Sequence, residues 1–282
     1  MTQKVRIVTD STADLDKNIL EEYNIEVVPL TYTLNGVSYT DGIDFEPAEF
    51  IEKMMESAEI PKSSQPSPIH FKEVYDRLHA EGFQVLSIHM SGKLSGTVRA
   101  AQQGASLTEG EVTVIDSNYI SSALGFQVIE AAKMAKKGAM LDKIISHIEQ
   151  VRKNTFLYVS VDTLEHLEKG GRIGKGKALL GSLLNIKPIA SLQDGIFTPI
   201  TKVRSHSQVV KFFMKQLIQD IKDRDLLRIG VAHANALDLA LRLKEELLKI
   251  TTADKIDICT TTPIISIHTG KGALGVSYYV KP

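Results

Sequence analysis

The chain has 282 residues, of which 43% are hydrophobic, and its 33 basic and 34 acidic residues give a formal net charge of −1. This length allows two domains or one large domain with well-formed cores. The even balance of charge excludes the basic footprint of a nucleic-acid-binding protein, and the longest apolar runs are far too short to cross a membrane. We therefore expect neither a nucleic-acid partner nor integral membrane association.

Two further features concern the cellular compartment. The amino-terminal sequence enters a predicted strand directly and shows no signal-peptide pattern. The single cysteine, Cys259, excludes an internal disulfide and is interpreted as a small core residue. Together these features predict a cytoplasmic protein.

The first half of the chain alternates between strand-like and helix-like patterns. Strands are predicted over residues 4–9, 26–32, 83–90 and 112–115, and helices over residues 14–23, 48–57, 69–81, 97–106, 122–137 and 141–152. Ser11 and Asp14 form a capping-box pattern at the first helix, and Asn35-Gly36 predicts a hairpin turn. The alternation of strands and helices predicts a parallel sheet.

The segment over residues 60–68 holds three prolines and three serines, for which we predict no regular structure. One interpretation is a simple linker. The other is a ligand-binding loop, because the prolines restrict the chain and can hold the side chains of Ser63, Ser64 and Gln65 in place.

The segment SGKLSGT, residues 91–97, follows a predicted buried strand and precedes a helix. Open α/β sheets bind ligands at this position, outside the carboxyl ends of their strands. The hydroxyls of Ser91, Ser95 and Thr97, with the N–H groups of a helix start, suit a carboxylate or a phosphate. The alternative is an ordinary helix cap made by Ser95 or Thr97.

The second half of the chain restarts with a strand over residues 155–161. A boundary is therefore predicted near Asn154, between an N-terminal α/β domain (1–154) and a C-terminal α/β domain (155–282). The other predicted elements are helices over 164–169, 178–184, 205–222 and 236–250, a hairpin of strands 188–192 and 197–203, and strands over 226–232, 255–260 and 276–280.

Two glycine-rich segments match nucleotide-binding motifs only in part. Residues 171–177 nearly form a P-loop, but Ala178 stands where the motif needs Ser or Thr, and a helix replaces the preceding strand. Gly270, Gly272 and Gly275 have the dinucleotide-binding spacing, but neither the helix nor the acidic residue of that motif follows. We therefore exclude nucleotide binding at both segments.

Other roles for these two segments remain open. Residues 172–177 are either a mobile basic loop or a docking surface for an anionic partner. The carboxy-terminal glycines are interpreted as letting the backbone approach a ligand closely, with His268 and Thr269 pointing at that ligand.

Six segments of the chain occur in the order found in one protein family. They are DSTADL (10–15), SSQPS (63–67), SGKLSGT (91–97), EKGGRIG (168–174), LLNIKPI (183–189) and HTGKGALG (268–275). The set spans nearly the whole chain and resembles the DegV family, also known as FakB, the fatty-acid-binding subunit of bacterial fatty acid kinase.

The resemblance implies an α/β fold of two domains, of the DegV type and EDD-like, with parallel-rich sheets and one long-chain fatty acid, similar to palmitate, buried between them. It implies no catalysis by the chain itself and no cofactor besides the fatty acid ligand. A separate ATP-dependent kinase subunit would phosphorylate the bound carboxylate to give acyl phosphate for phospholipid synthesis.

The resemblance also implies roles for single residues. The residues expected to hold the carboxyl group are Ser63, Ser64, Ser95, Gly96, His268 and Thr269. Arg172 matches an arginine implicated in docking the kinase subunit. Candidate residues to line the acyl chain, each equally consistent with ordinary core, are Leu180, Leu183, Leu184, Ile186 and Ile189.

Two positions depart from the family pattern, since Ser63 is usually Thr and Lys271 is usually Pro. Ser63 keeps the hydroxyl and loses the methyl group. Lys271 adds a positive charge near the mouth of the expected site.

Two other functions are alternatives to a carrier, that is, to a chain that binds a fatty acid and presents it to a kinase. The chain could be a serine hydrolase or acyltransferase that uses Ser95 and His268, or a small-molecule sensor without a kinase. A hydrolase predicts reaction with a serine-directed phosphonate and loss of turnover in Ser95→Ala. A carrier has no turnover to lose.

Overall fold

The computed structural model describes residues 4–179, 186–222 and 224–281. Its strands are β1 (Lys4–Asp10), β2 (Glu26–Val28), β3 (Thr31–Leu34), β4 (Val37–Thr40), β5 (Lys62–Ser64), β6 (Phe83–His89), β7 (Val112–Asp116), β8 (Thr155–Ser160), β9 (Lys187–Ser191), β10 (Thr198–Val203), β11 (Leu226–His233), β12 (Ile256–Thr260) and β13 (Leu274–Val280). Its helices are α1 (Lys17–Tyr23), α2 (Pro47–Glu56), α3 (Pro68–Ala80), α4 (Thr97–Leu107), α5 (Ser121–Lys136), α6 (Leu141–Lys153), α7 (Glu165–Lys169), α8 (His206–Ile221), α9 (Leu237–Leu247) and α10 (Pro263–Thr269).

The first sheet has the strand order β2-β1-β6-β7 and is parallel throughout. Helices α3 and α4 pack against it around the buried side chains of Phe71, Tyr75 and Val85. Helix α5 contacts β1 and β6. The strands carry apolar runs because helices cover them, and the predicted parallel sheet is confirmed.

The second sheet has the order β10-β9-β8-β13-β11-β12 and is mixed. Within the described residues, β11 and β12 run parallel and the other neighbouring strands run antiparallel. The expectation of parallel-rich sheets therefore holds for the first sheet and not for the second. The reason is that β9 and β10 form the predicted hairpin, and that β13 inserts antiparallel between β8 and β11.

Helix α5 lies between the two sheets. It contacts β1 and β6 of the first sheet and β8, β11 and β13 of the second. Ala123, Leu124, Val128 and Ala131 on this helix are fully buried. A helix that is apolar on several sides suits such a position between two layers. At its N-terminal end, Ile120 and Ser121 border the cavity described below.

A third, small antiparallel sheet corrects two predictions. Its order is β4-β3-β5, and Tyr32 on β3 stands opposite Ser63 on β5. The segment over residues 60–68 is therefore not wholly irregular, because its prolines flank the three residues of β5 and leave their N–H groups available for pairing. Pro29 likewise separates β2 from β3, where one strand was predicted.

The start of the first helix was also predicted wrongly. Ser11–Ala13 form a 3-10 turn, and Asp10, not Ser11, accepts a hydrogen bond from the Thr12 amide at 3.1 Å. Asp14 has a left-handed backbone with φ 50°, and α1 begins only at Lys17. The Asp14 carboxylate has other partners, described below, and these outweigh the local capping pattern.

The apolar helix predicted over residues 178–184 falls largely outside the described residues. Its first two residues, Ala178 and Leu179, end a 3-10 helix over Gly174–Leu179. Leu180, Leu183 and Leu184 lie outside the described part of the chain. In the part that is described, no helix combines the length and the apolar character needed to cross a membrane.

Candidate functional site

A cavity of about 360 Å³ lies between the two large sheets, within the range of roughly 300–1,000 Å³ that is usual for small-molecule sites. Its wall is formed by residues of the second sheet, by α10 and by segments that follow the strands of the first sheet. The mainly apolar lining residues include Met90 and Leu94 after β6, Ile120 before α5, Leu157 and Val159 on β8, Phe197 before β10, and Ile264 on α10. The cavity is therefore suited to a largely apolar ligand.

Polar residues also line this cavity. One group, from four separate segments, comprises Ser63, Ser64, Gln65, Ser95, Arg172, His268 and Thr269; the other polar lining residues are Ser121, His233 and Thr261. The structure thus brings together five of the six residues expected to hold a carboxyl group. Their role as carboxyl ligands stays a prediction.

Gly96, the sixth of these residues, is not among the described residues that line the cavity, and it precedes α4 as its N-cap. A Cβ atom at position 96 would lie 1.9 Å from Gln65 Oε1. Gly96 therefore allows Gln65 to approach the 91–97 loop closely, which the sequence did not indicate.

Ser63 and His268 are hydrogen-bonded at the polar part of the cavity, with 2.8 Å between Ser63 Oγ and His268 Nε2. Ser63 is positioned by the pairing of β5 with β3. His268 lies in the last turn of α10, a helix that was not predicted from the sequence. The buried Nδ1 atom of His268 has no hydrogen-bond partner among the described residues.

The electrostatics of this corner favour a neutral imidazole. Burial first, and then the electrostatic effects of Arg172 and His166, lower the pKa of His268 to about 4. Arg172 Nε donates to the carbonyl oxygen of Leu94 at 2.9 Å, and Nη1 donates to that of Gly170 at 2.5 Å. Arg172 therefore holds the 91–97 loop against the second half of the chain and places a positive charge beside the histidine.

Ser95 and Thr97 interact with each other where α4 begins. Ser95 Oγ lies 2.9 Å from Thr97 Oγ1 and accepts the Thr97 amide at 3.3 Å. No hydrogen bond joins Ser95 to His268 within the described residues. Asp10 is paired with buried His89 at 3.0 Å. Ser95 and His268, the pair that a hydrolase would use, are therefore not hydrogen-bonded to each other, and Asp10 is engaged with His89.

Thr269 also has an internal partner, since its Oγ1 donates to the carbonyl oxygen of Ile265 at 3.0 Å. The hydroxyl proton is thus engaged within α10. Lys271 is exposed in the turn between α10 and β13, which places its charge on the surface.

Two carboxyl groups, those of half-buried Asp14 and buried Asp41, hold the start of α10, the helix that carries His268. Asp14 accepts the hydroxyl protons of Ser121 and Thr261, at 2.5 and 2.9 Å, and the Thr262 amide at 3.0 Å. Asp41 accepts the Ile264 amide at 3.1 Å.

Burial raises the pKa of Asp14 to about 6 and that of Asp41 to about 7, although the hydrogen bonds they accept oppose this shift. Neither role was predicted from the sequence. Asp14 was interpreted as a capping residue, and nothing in its local pattern pointed to the distant start of α10.

The predicted acyl-chain lining is only partly described. Ile189 is fully buried in the core around α8 and α9, and Ile186 is half-buried. Neither of them is among the described residues that line the cavity. The apolar lining that is seen includes Leu157 and Val159 on β8 and Met90 and Leu94 after β6. The apolar runs of these segments look like ordinary core in the sequence.

Among the described residues, no group of His, Cys, Asp and Glu is arranged to hold a metal ion.

An open groove of about 720 Å³ adjoins the cavity between α2, β5 and α7. Ser63, Arg172 and His268 border both the cavity and the groove. The polar part of the cavity is therefore adjacent to a surface that another molecule can reach.

Comparison with known proteins shows close relatives over the full length. Residues 4–281 match the family described as "Uncharacterised protein, DegV family". A DegV domain-containing protein of Listeria innocua is 43% identical over 278 residues, covering 98% of this chain and 99% of the relative. One of Staphylococcus aureus is 40% identical over 276 residues, with 98% of each chain covered.

Solved structures share the fold. A structure titled for fatty acid binding of a DegV family protein from Thermus thermophilus has a TM-score of 0.94 and 34% identity, and covers 99% of this chain and 100% of its own. DegV of Bacillus subtilis, described as a fatty acid binding protein, has a TM-score of 0.89 and 30% identity, with the same coverage.

Proposed function

Because this chain belongs to the DegV family, we propose that it binds a long-chain fatty acid in the cavity between its sheets. The carboxyl group lies at Ser63, Ser95 and His268, and the acyl chain extends along the apolar wall. The observation that carries this proposal is a single cavity wall that is apolar over most of its surface and has a hydrogen-bonded Ser63–His268 pair at its polar part.

The chemistry of this wall suits a fatty acid. A buried carboxyl group needs hydrogen-bond donors, and hydroxyl groups with the nearby Arg172 guanidinium supply them without a fully buried counter-charge. Each methylene group of the acyl chain contributes about 0.8 kcal/mol when it leaves water. An apolar cavity therefore binds such a ligand tightly with few polar contacts.

We further propose that the chain is a carrier that does no chemistry itself, in fatty acid and phospholipid metabolism. A separate ATP-dependent fatty acid kinase subunit docks over the groove beside α7 and phosphorylates the presented carboxylate. Support for this step comes from the position of Arg172, Ser63 and His268 on the border of cavity and groove.

Native mass spectrometry of the purified chain tests the binding proposal. The protein is then denatured and extracted with organic solvent to identify any bound molecule. The expected result is a stoichiometric adduct that releases a long-chain fatty acid. A chain that carries no adduct, and gains none after incubation with laurate, myristate, palmitate and stearate, would overturn the proposal.

The kinase step is tested with the loaded chain, ATP and a purified fatty acid kinase subunit, with acyl phosphate as the product measured. Arg172→Ala should lower the rate of product formation more than it lowers fatty acid affinity. Arg99→Ala removes an exposed positive charge on α4 and is the matched control. Equal rates for the two variants would contradict docking at Arg172.

A further inference from the structure

The part of the second sheet that faces the cavity has a glycine and an alanine side by side on neighbouring strands. Val159 on β8, Gly275 on β13 and Ala232 on β11 stand directly opposite one another across three adjacent strands. All three line the cavity. In a second row, two residues along the same strands and so on the same face of the sheet, Leu157 stands opposite Ser277, which in turn stands opposite Gly230.

These two rows have different surroundings. A Cβ atom at position 230 would lie 2.2 Å from the Ser122 side chain, so Gly230 is needed for α5 to pack on the sheet. A Cβ atom at position 275 would meet only backbone oxygens among the described residues, Ala232 O at 3.7 Å and Tyr158 O at 3.9 Å. Both are ordinary contact distances.

The backbone does not explain Gly275 either. Gly270 and Gly272 have φ angles of 74° and 87°, which favour glycine, but Gly275 is not among the glycines with positive φ and lies within β13. A glycine within a strand lowers its stability and often marks close approach of a ligand. Neither conformation nor packing against the described protein atoms requires glycine at position 275, and the space before it is the cavity.

We infer that Gly275 determines which acyl chains the cavity accepts. Because Gly275 has no side chain and neighbouring Ala232 has a small one, the cavity stays wide enough at this point for the acyl chain to pass. This inference rests on the proposed fatty acid binding. A side chain at position 275 would occupy that width, so the longer chains lose contact with the wall while shorter chains still fit. Gly275 is thus a specificity-determining residue and takes no part in holding the carboxyl group.

The test measures affinities for laurate, myristate, palmitate and stearate in the delipidated wild type, Gly275→Ala and Gly275→Val. Overpacking of a well-fitted site typically lowers affinity by about tenfold or more. We expect this loss in Gly275→Val for the longest chain that the wild type prefers, a smaller loss in Gly275→Ala, and a change below about twofold for laurate. Adding Val159→Ala to Gly275→Val should restore part of the loss, because the two side chains are cross-strand neighbours.

Thermal unfolding without ligand identifies any variant that fails to fold, and Gly275→Ala keeps the test valid because its methyl group meets no atom closer than 3.7 Å among the described residues. An equal loss for all four fatty acids, or an unchanged preference, would overturn the inference and leave fatty acid binding intact. A wild type that binds none of the four would instead overturn the proposed function.

Discussion

Ser63 and His268 lie 205 positions apart in the sequence and share a hydrogen bond of 2.8 Å at the wall of the cavity. The serine comes from a strand of the small antiparallel sheet, and the histidine comes from the end of α10. This contact joins the two halves of the chain at the place where we propose that the carboxyl group binds.

The Ser63 hydroxyl is predicted to contribute directly to fatty acid affinity. Ser63→Ala removes a hydrogen-bond donor to a charged group, which is worth about 1.5–3 kcal/mol, or about tenfold to a hundredfold in Kd. Isothermal titration calorimetry with palmitate measures the change. Ser63→Thr keeps the hydroxyl and serves as the matched control, and it should retain affinity within a few fold. Equal losses in both variants would contradict a role for the hydroxyl.

The ring of His268 is predicted to stay neutral across the physiological pH range in the ligand-free protein. Its pKa is lowered to about 4, first by burial and then by Arg172. The folded-state pKa therefore lies below the unfolded value of about 6.5. The stability that the neutral His268 ring contributes is present above about pH 6.5 and is lost as pH falls through about 4.

Nitrogen-detected NMR titration of the histidine rings checks the His268 prediction, with exposed His70 as an internal reference. Arg172→Gln should raise the pKa of His268, because it removes a nearby positive charge. A His268 ring that titrates near pH 6.5 in the wild type would contradict this account of the site.

Asp41 is predicted to make the fold less stable at alkaline pH. Burial raises its pKa to about 7, above the unfolded value of 3.8, so its contribution is present below the unfolded pKa and is lost as pH rises through about 7. Between pH 5 and pH 8 the free energy of unfolding of the wild type should fall by about 2–3 kcal/mol relative to that of Asp41→Asn. Urea unfolding of both proteins at the two pH values measures this difference.

The Asn variant is a suitable control because its side-chain oxygen can still accept the Ile264 amide, the partner of Asp41 Oδ1. A difference in unfolding free energy that stays constant between pH 5 and pH 8 would show that Asp41 does not titrate in this range.

Ser95 is predicted to act in binding and not as a nucleophile. Its hydroxyl is bonded to Thr97, and within the described residues it makes no hydrogen bond to a base. Ser95→Ala should weaken palmitate binding by about tenfold, in line with the loss of one hydrogen bond to a charged group. A serine-directed fluorophosphonate should leave the wild type unlabelled. Stoichiometric labelling that Ser95→Ala abolishes would favour the hydrolase.

The sequence predicted most elements of the first sheet because each strand and helix has its own clear periodicity. The mixed second sheet was less predictable, since strand order depends on which strand β13 pairs with, and periodicity does not show this. The prolines around β5 hid a short strand whose partner, β3, is about 30 residues away. The capping pattern at Asp14 was misleading because a long-range partner, Thr262, competes for the carboxylate.

The polar part of the candidate site was easier to predict than its apolar wall. Ser63, Ser95 and His268 stand in polar segments that interrupt apolar runs. The resemblance of these segments to one family indicated that the three residues belong to one site. Leu157, Val159 and Gly275 lie inside strands whose pattern is the same whether the strand faces a core or a cavity. Their role depends on what lies opposite them, which only the three-dimensional structure shows.

The most direct test of fatty acid binding in this cavity is a crystal structure of the delipidated chain soaked with palmitate. We expect the carboxyl group within hydrogen-bond distance of Ser63 and Ser95 and the acyl chain inside the cavity, passing over Gly275 between β8 and β11. Palmitate bound outside this cavity, or with its carboxyl group at the opposite end from the Ser63–His268 pair, would contradict the proposed binding.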